Sequence, residues 1–156
     1  MKLNRTKGRI LASIQFILLF LIIVSALIEH THHNRGFSAV INLISIILIV
    51  VGLITAALTL IEFRQYMTPN PVPLDNALLR TNGIYSVVRH PMYLSVILLV
   101  IGGTLYLQAY LTVIPDMIAI IFLIYKISFE EKRLNEKYPE YAEYQKKTKK
   151  LIPFIF

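Results

Sequence analysis

Three long stretches without a charged side chain set the frame for this chain: Ile10–Ile28, Phe37–Ile61 and Met92–Pro115. A fourth, Met117–Tyr125, follows directly after Asp116. A helix needs roughly 20 apolar residues to cross a bilayer. Inside hydrocarbon the backbone must satisfy its own hydrogen bonds, so such runs are helical. With 56% hydrophobic and only 16% charged residues, the composition excludes an ordinary soluble domain.

The charges that remain are segregated. Basic residues gather at Lys2, Arg5, Lys7 and Arg9, at Arg64, Arg80 and Arg89, and from Lys126 to Lys150; Arg35 stands apart. This is the positive-inside pattern of a multi-pass protein of the cell membrane, with both termini and the Glu62–Tyr93 segment in the cytosol. The net charge of +7 is therefore read as membrane topology, and no nucleic-acid partner is expected. The chain has no cysteine, which excludes disulfides, thiolate metal sites and a Cys nucleophile.

The expected fold is all-α: four spanning helices in two hairpins, followed by a cytosolic C-terminal helix. It forms one membrane-embedded unit over 1–156, with an N-terminal hairpin at 1–63 and a cofactor-binding core at 64–156. The first hairpin turns at Glu29–Gly36. The second turns near Leu107–Tyr110, which leaves Pro115 and Asp116 inside the fourth helix; a turn at Pro115-Asp116 is the rival layout. Met1–Ile28 has the outline of a signal peptide, but its apolar run is too long and no small-residue cleavage site follows. His30, His32 and His33 share no fixed helical face and have no carboxylate cluster, so they read as loop histidines and no metal is expected. Gly102-Gly103 reads as a close-packing site between helices.

The chemistry concentrates in Gly83-Ile84-Tyr85-Ser86-Val87-Val88-Arg89-His90-Pro91-Met92-Tyr93. Pro91 suits the first turn of a helix. Arg89 and His90 then sit at its positive end, where anions are favoured. The competing reading is an interfacial anchor, with Arg89 snorkelling and Tyr93 in an aromatic belt. Upstream, Thr68–Pro73 is too rich in proline to be helical. Asp75-Asn76 is expected to open a short helix through Ala77–Arg80. Downstream, Glu130-Glu131 lies at the end of the last span, and the helix is expected to run straight through it. Tyr138, Tyr141 and Tyr144 recur every third residue, either as an interfacial stripe or as part of the site. Lys146–Lys150 is expected against anionic headgroups, and the apolar Leu151–Phe156 to fold back on the helices.

Gly-x-Tyr-x-x-x-Arg-His-Pro-x-Tyr, an apolar hairpin, Glu-Glu-x-x-Leu, Tyr-x-x-Tyr and a terminal Ile-Pro together resemble the isoprenylcysteine carboxyl methyltransferase and phospholipid methyltransferase superfamily. The matching residues are Gly83, Tyr85, Arg89, His90, Pro91, Tyr93, Glu130, Glu131, Leu134, Tyr141, Tyr144, Ile152 and Pro153. The resemblance covers the chain from about Pro69 onward. It implies S-adenosyl-L-methionine bound at the cytosolic face and a lipophilic acceptor entering from the bilayer. It assigns Tyr85, His90, Pro91, Met92, Tyr93 and Glu131 to the cofactor, with Ala77, Leu78, Leu79 and Arg80 upstream. Arg89, His90 and Glu130 are the residues expected to carry catalysis. The prenylcysteine branch has an arginine one turn before the acidic pair; here that position is Ile127, beside Lys126, which argues against a prenylcysteine carboxylate as acceptor. Methyl transfer needs alignment and a dry site more than a strong acid or base. A membrane reductase using NADPH, or a small non-catalytic membrane protein, are the alternatives.

Overall fold

The computed structural model describes residues 2–32, 38–63, 68–74, 77–153 and 155. Among the described residues five α-helices follow in order: α1 Lys2–His32, α2 Ala39–Phe63, α3 Pro91–Leu107, α4 Val113–Lys137 and α5 Tyr141–Lys147. Among the described residues, three segments are long and apolar enough to cross a membrane, Arg5–Thr31, Ala39–Glu62 and Tyr110–Lys137. Helix α3 has 17 residues and is apolar throughout. At ~1.5 Å per residue it just reaches the lower limit for a span. The chain is thus an all-α, polytopic membrane protein.

The second hairpin turns where its residues allow. Gln108 caps α3 in the left-handed conformation, with φ 54°, and its N–H returns to Leu105 and Thr104. A 3-10 turn, Tyr110–Thr112, leads into α4, so Pro115 and Asp116 lie within the first turn of α4. Here Pro115 has no helical N–H to forfeit, and Asp116 complements the helix dipole. Thr104 donates to Asp116 at 2.6 Å and ties the two helices together at this far end of the bundle. Helix α1 reaches the same end, where Glu29 accepts from the Leu111 N–H at 2.9 Å and His30 Nδ1 lies 3.0 Å from the Leu107 carbonyl. His33, Asn34 and Arg35 fall outside the described residues.

Packing does not follow the two hairpins. The most extensive packing is between α2 and α3, while α1 lies against α4, α3 and the 3-10 turn. Gly102 permits the first: a Cβ there would stand 2.9 Å from Ile49 and 3.1 Å from the Ser45 carbonyl of α2. With the hydrophobic effect absent between helices in lipid, such close backbone contact is what holds them.

At the near end, Asn70 donates to the Arg5 carbonyl at 3.3 Å, pinning the proline-rich loop to α1. The helix expected over Ala77–Arg80 is absent; these residues are irregular. Long-range contacts take the place of helical bonds, since Lys137 and Tyr138 both donate to the Ala77 carbonyl. Asp75 and Asn76, the expected start of that helix, lie outside the described residues.

Gly83 opens a 3-10 turn, Gly83–Ser86, with φ 59°. Its neighbour Ile84 donates to Glu62 Oε1 at 3.1 Å, so the end of α2 positions the turn that carries Tyr85. A Cβ on Gly83 would meet that carboxylate at 1.8 Å. Gly83→Ala is expected to lose at least about 1–2 kcal/mol from the left-handed backbone alone. The check is unfolding free energy from an SDS titration in mixed micelles; a value equal to the parent's would remove this role.

Candidate active site

Pro91 is the first residue of α3 and His90 its N-cap. The N–H groups of the two residues before Pro91 go to the tail. Arg89 N–H donates to the Lys149 carbonyl at 2.8 Å and His90 N–H to that of Lys150 at 3.1 Å. Val88 and Lys149 form a parallel β-bridge. Residues 60 positions apart are thereby fixed to each other through backbone groups that any residue carries, which is why no side-chain pattern announced it.

Glu131 is buried behind this junction. Its Oε1 accepts from Arg89 Nε at 2.9 Å and from His90 Nε2 at 3.2 Å, and Lys150 Nζ lies 3.4 Å from Oε2. A carboxylate only accepts, so His90 carries its proton on Nε2 in this contact. Arg89 uses Nη1 on the tail, donating to the Gln145 carbonyl at 3.1 Å and to that of Thr148.

In front of the junction is a cavity of about 450 Å³, within the usual range for small-molecule sites. Of the residues expected at a site, Ala77, Leu78, Leu79, Arg80, Tyr85, Arg89, His90, Met92, Tyr93 and Glu130 line it. Pro91 and Glu131 do not. Helix geometry explains the second. Lys126, Glu130 and Leu134 repeat every fourth residue on one face of α4 and all line the cavity. Ile127 and Glu131 occupy the adjacent face and are buried against protein.

Tyr138, Tyr141 and Tyr144 line the cavity as well, so they are part of its wall and not an interfacial stripe. With Tyr85 and Tyr93 they make five of the chain's nine tyrosines, enough to give aromatic faces for a cation. Tyr93 donates to Glu130 Oε2 at 2.7 Å, and Tyr144 to the Tyr85 carbonyl at 2.5 Å. Burial pushes the Tyr144 phenol up to about 12. Burial, then the charge of Glu130, raises Tyr85 further. These phenols therefore stay protonated and act as donors. The buried Tyr141 hydroxyl has no hydrogen-bond partner among the described residues. Leu78, Leu79 and Arg80 add an irregular stretch to the cavity wall.

Sequence reasoning missed Gln15, Phe16 and Leu19 of α1, and Lys126. Lys126 had a signal, its spacing of four from Glu130. The α1 residues had none, because that helix is apolar on nearly every side.

A sequence model of one family matches residues 2–148, and that family is described as a protein of unknown function, DUF1295. The chain belongs to the DUF1295 family. No curated protein and no solved structure matches it. The DUF1295 description assigns no chemistry, so the reading of the cavity rests on its residues.

Proposed function

We propose that this DUF1295 protein is an S-adenosylmethionine-dependent methyltransferase of the cell membrane, acting on a lipophilic acceptor at the cytosolic face. The observation that carries the reading is one cavity with two characters. Its polar part holds the Glu130 carboxylate and is bounded by Arg80, Tyr85 and His90. Its apolar part runs to Phe16 and Leu19, on a segment long and apolar enough to cross the membrane, and to Val96 on the shorter apolar α3.

The residues fit the cofactor. A carboxylate and aromatic faces suit its ammonium and sulfonium groups. Arg80 on the cavity wall offers a guanidinium to its carboxylate. When bound, the cofactor supplies an electrophilic methyl group. The protein's part is alignment and exclusion of water. Glu130 is also placed to receive a proton from an acceptor hydroxyl, given hydrogen-bond reach in the loaded site. Arg89, His90 and Glu131 act as one positioning unit that fixes the start of α3 and the tail.

The test is equilibrium binding of labelled S-adenosylmethionine to the purified protein in zwitterionic nanodiscs, competed with S-adenosylhomocysteine and with NADPH. Displacement by the first and not the second is expected. Glu130→Gln is expected to weaken binding by about 1.5–3 kcal/mol, the value of a hydrogen bond to a charged group. NADPH binding without S-adenosylmethionine binding would overturn the reading in favour of a reductase, and binding of neither would leave a non-catalytic protein.

A further inference from the structure

The tail that leaves α5 is extended at Thr148, with φ −127° and ψ 158°. Side chains of an extended segment alternate between two sides. Thr148 is buried, and Lys150 turns inward, its Nζ 3.4 Å from Glu131 Oε2. Lys149 between them is exposed, and so are Lys146 and Lys147 at the end of α5. Lys146 meets Glu143 in an exposed pair. Lys147 and Lys149 make no ion pair among the described residues.

Past the buried Leu151 the chain makes a turn, closed by the Ile155 N–H on the Ile152 carbonyl at 3.1 Å. These two isoleucines are 47% and 75% exposed. Apolar side chains exposed singly call for no explanation. Here two of them stand beside exposed lysines, at a fixed height. The Arg89 and His90 N–H groups donate to the Lys149 and Lys150 carbonyls, and Pro91 then opens the apolar α3. The tail therefore lies at the level where the chain enters the bilayer. Apolar side chains at the acyl boundary, with ammonium groups among the headgroups, are what an interfacial segment presents to an anionic leaflet.

We infer that Lys147, Lys149, Ile152 and Ile155 form a docking surface for anionic phospholipid of the adjoining leaflet, and that lipid held there fixes the tail against Arg89 and His90. None of the four lines the cavity, and the lipid is a bound structural partner, not the acceptor. It bears on the cavity because α5, from which the tail leaves, gives Tyr141 and Tyr144 to the wall. Free phosphate would meet the lysines but leave both isoleucines in water.

The chain has no tryptophan, so Ile155→Trp gives a single reporter on this surface. The full chain is placed in nanodiscs of phosphatidylcholine with a minority of phosphatidylglycerol. Bromine, a short-range quencher of tryptophan, is carried in one preparation by the phosphatidylglycerol and in another by an equal mole fraction of the phosphatidylcholine. The relative association constant is expected to favour phosphatidylglycerol at least about fivefold, the factor given by one lysine near an anionic surface. Lys147→Gln together with Lys149→Gln leaves every backbone carbonyl of the tail in place and is expected to remove most of that preference. Arginine at both positions is expected to keep it. Equal quenching by the two lipids overturns the inference, and so does a preference that survives the double glutamine variant. Hydrogen exchange at the Arg89 and His90 amides, in the chain without the reporter, reads the coupling. Exchange is expected to be severalfold slower with phosphatidylglycerol present than in phosphatidylcholine alone, and equal in the two for the double glutamine variant. Exchange that lipid does not move overturns the claim that lipid fixes the tail. No cofactor enters either measurement, so failure here is distinct from failure of the methyltransferase reading.

Discussion

Glu131→Ala is expected to lower unfolding free energy by about 3–5 kcal/mol, the loss that follows when one partner of a buried ion pair is removed. Arg89 and Glu131 side chains are only 9% and 10% exposed. The alanine would leave a guanidinium and a lysine facing each other, with His90 losing its acceptor. Arg89 would still have the Gln145 and Thr148 carbonyls, so the charge would remain trapped and not escape to water. Glu131→Gln keeps one acceptor oxygen but turns a donor towards cations, and an intermediate loss is expected. SDS titration of the purified variants in mixed micelles measures both. A loss below about 1 kcal/mol for alanine, the level of an exposed pair, would mean that Glu131 is solvated and not a clamp.

That clamp marks the limit of what the residues alone could tell. The spans were legible because long uncharged runs admit few other structures, and the start of α3 because proline is suited to a first helical turn. The partners of those spans were not. Helices apolar on all sides carry no stripe to say which face meets which neighbour, so α2 against α3 had to be read from Gly102 and its contacts. The acidic pair was legible as a site but not in its division of labour. Neighbouring residues on a helix point about 100° apart, so Glu130 and Glu131 meet different surroundings. The spacing of Lys126, Glu130 and Leu134 fixes which of them lines the cavity, once Lys126 is known to be inside. The irregular Ala77–Arg80 segment escaped for another reason. Its conformation is set by Lys137 and Tyr138, residues 60 or so positions later.

Arg89→Lys tests whether the tail is part of the site. The arginine donates from Nε to Glu131 and from Nη1 to two tail carbonyls, so one planar group ties α4, the tail and the start of α3 together. A lysine keeps the charge but presents one compact ammonium on a flexible stem. It can satisfy Glu131 or the tail, not both in this geometry. Each hydrogen bond lost from the charged group is worth about 1.5–3 kcal/mol. The expected result is local release of the tail with the helices intact. Hydrogen exchange at the Arg89 and His90 amides, which donate to Lys149 and Lys150, should quicken, and trypsin should cut within Lys146–Lys150 faster than in the parent. Because Tyr144 and Tyr141 of α5 line the cavity, the same release should weaken S-adenosylmethionine binding at least tenfold, or about 1.4 kcal/mol. A snorkelling arginine at the interface predicts the opposite, since lysine replaces it well there. Unchanged exchange, trypsin resistance and cofactor affinity in Arg89→Lys would therefore return Arg89 to the role of an anchor and detach the tail from the proposed chemistry.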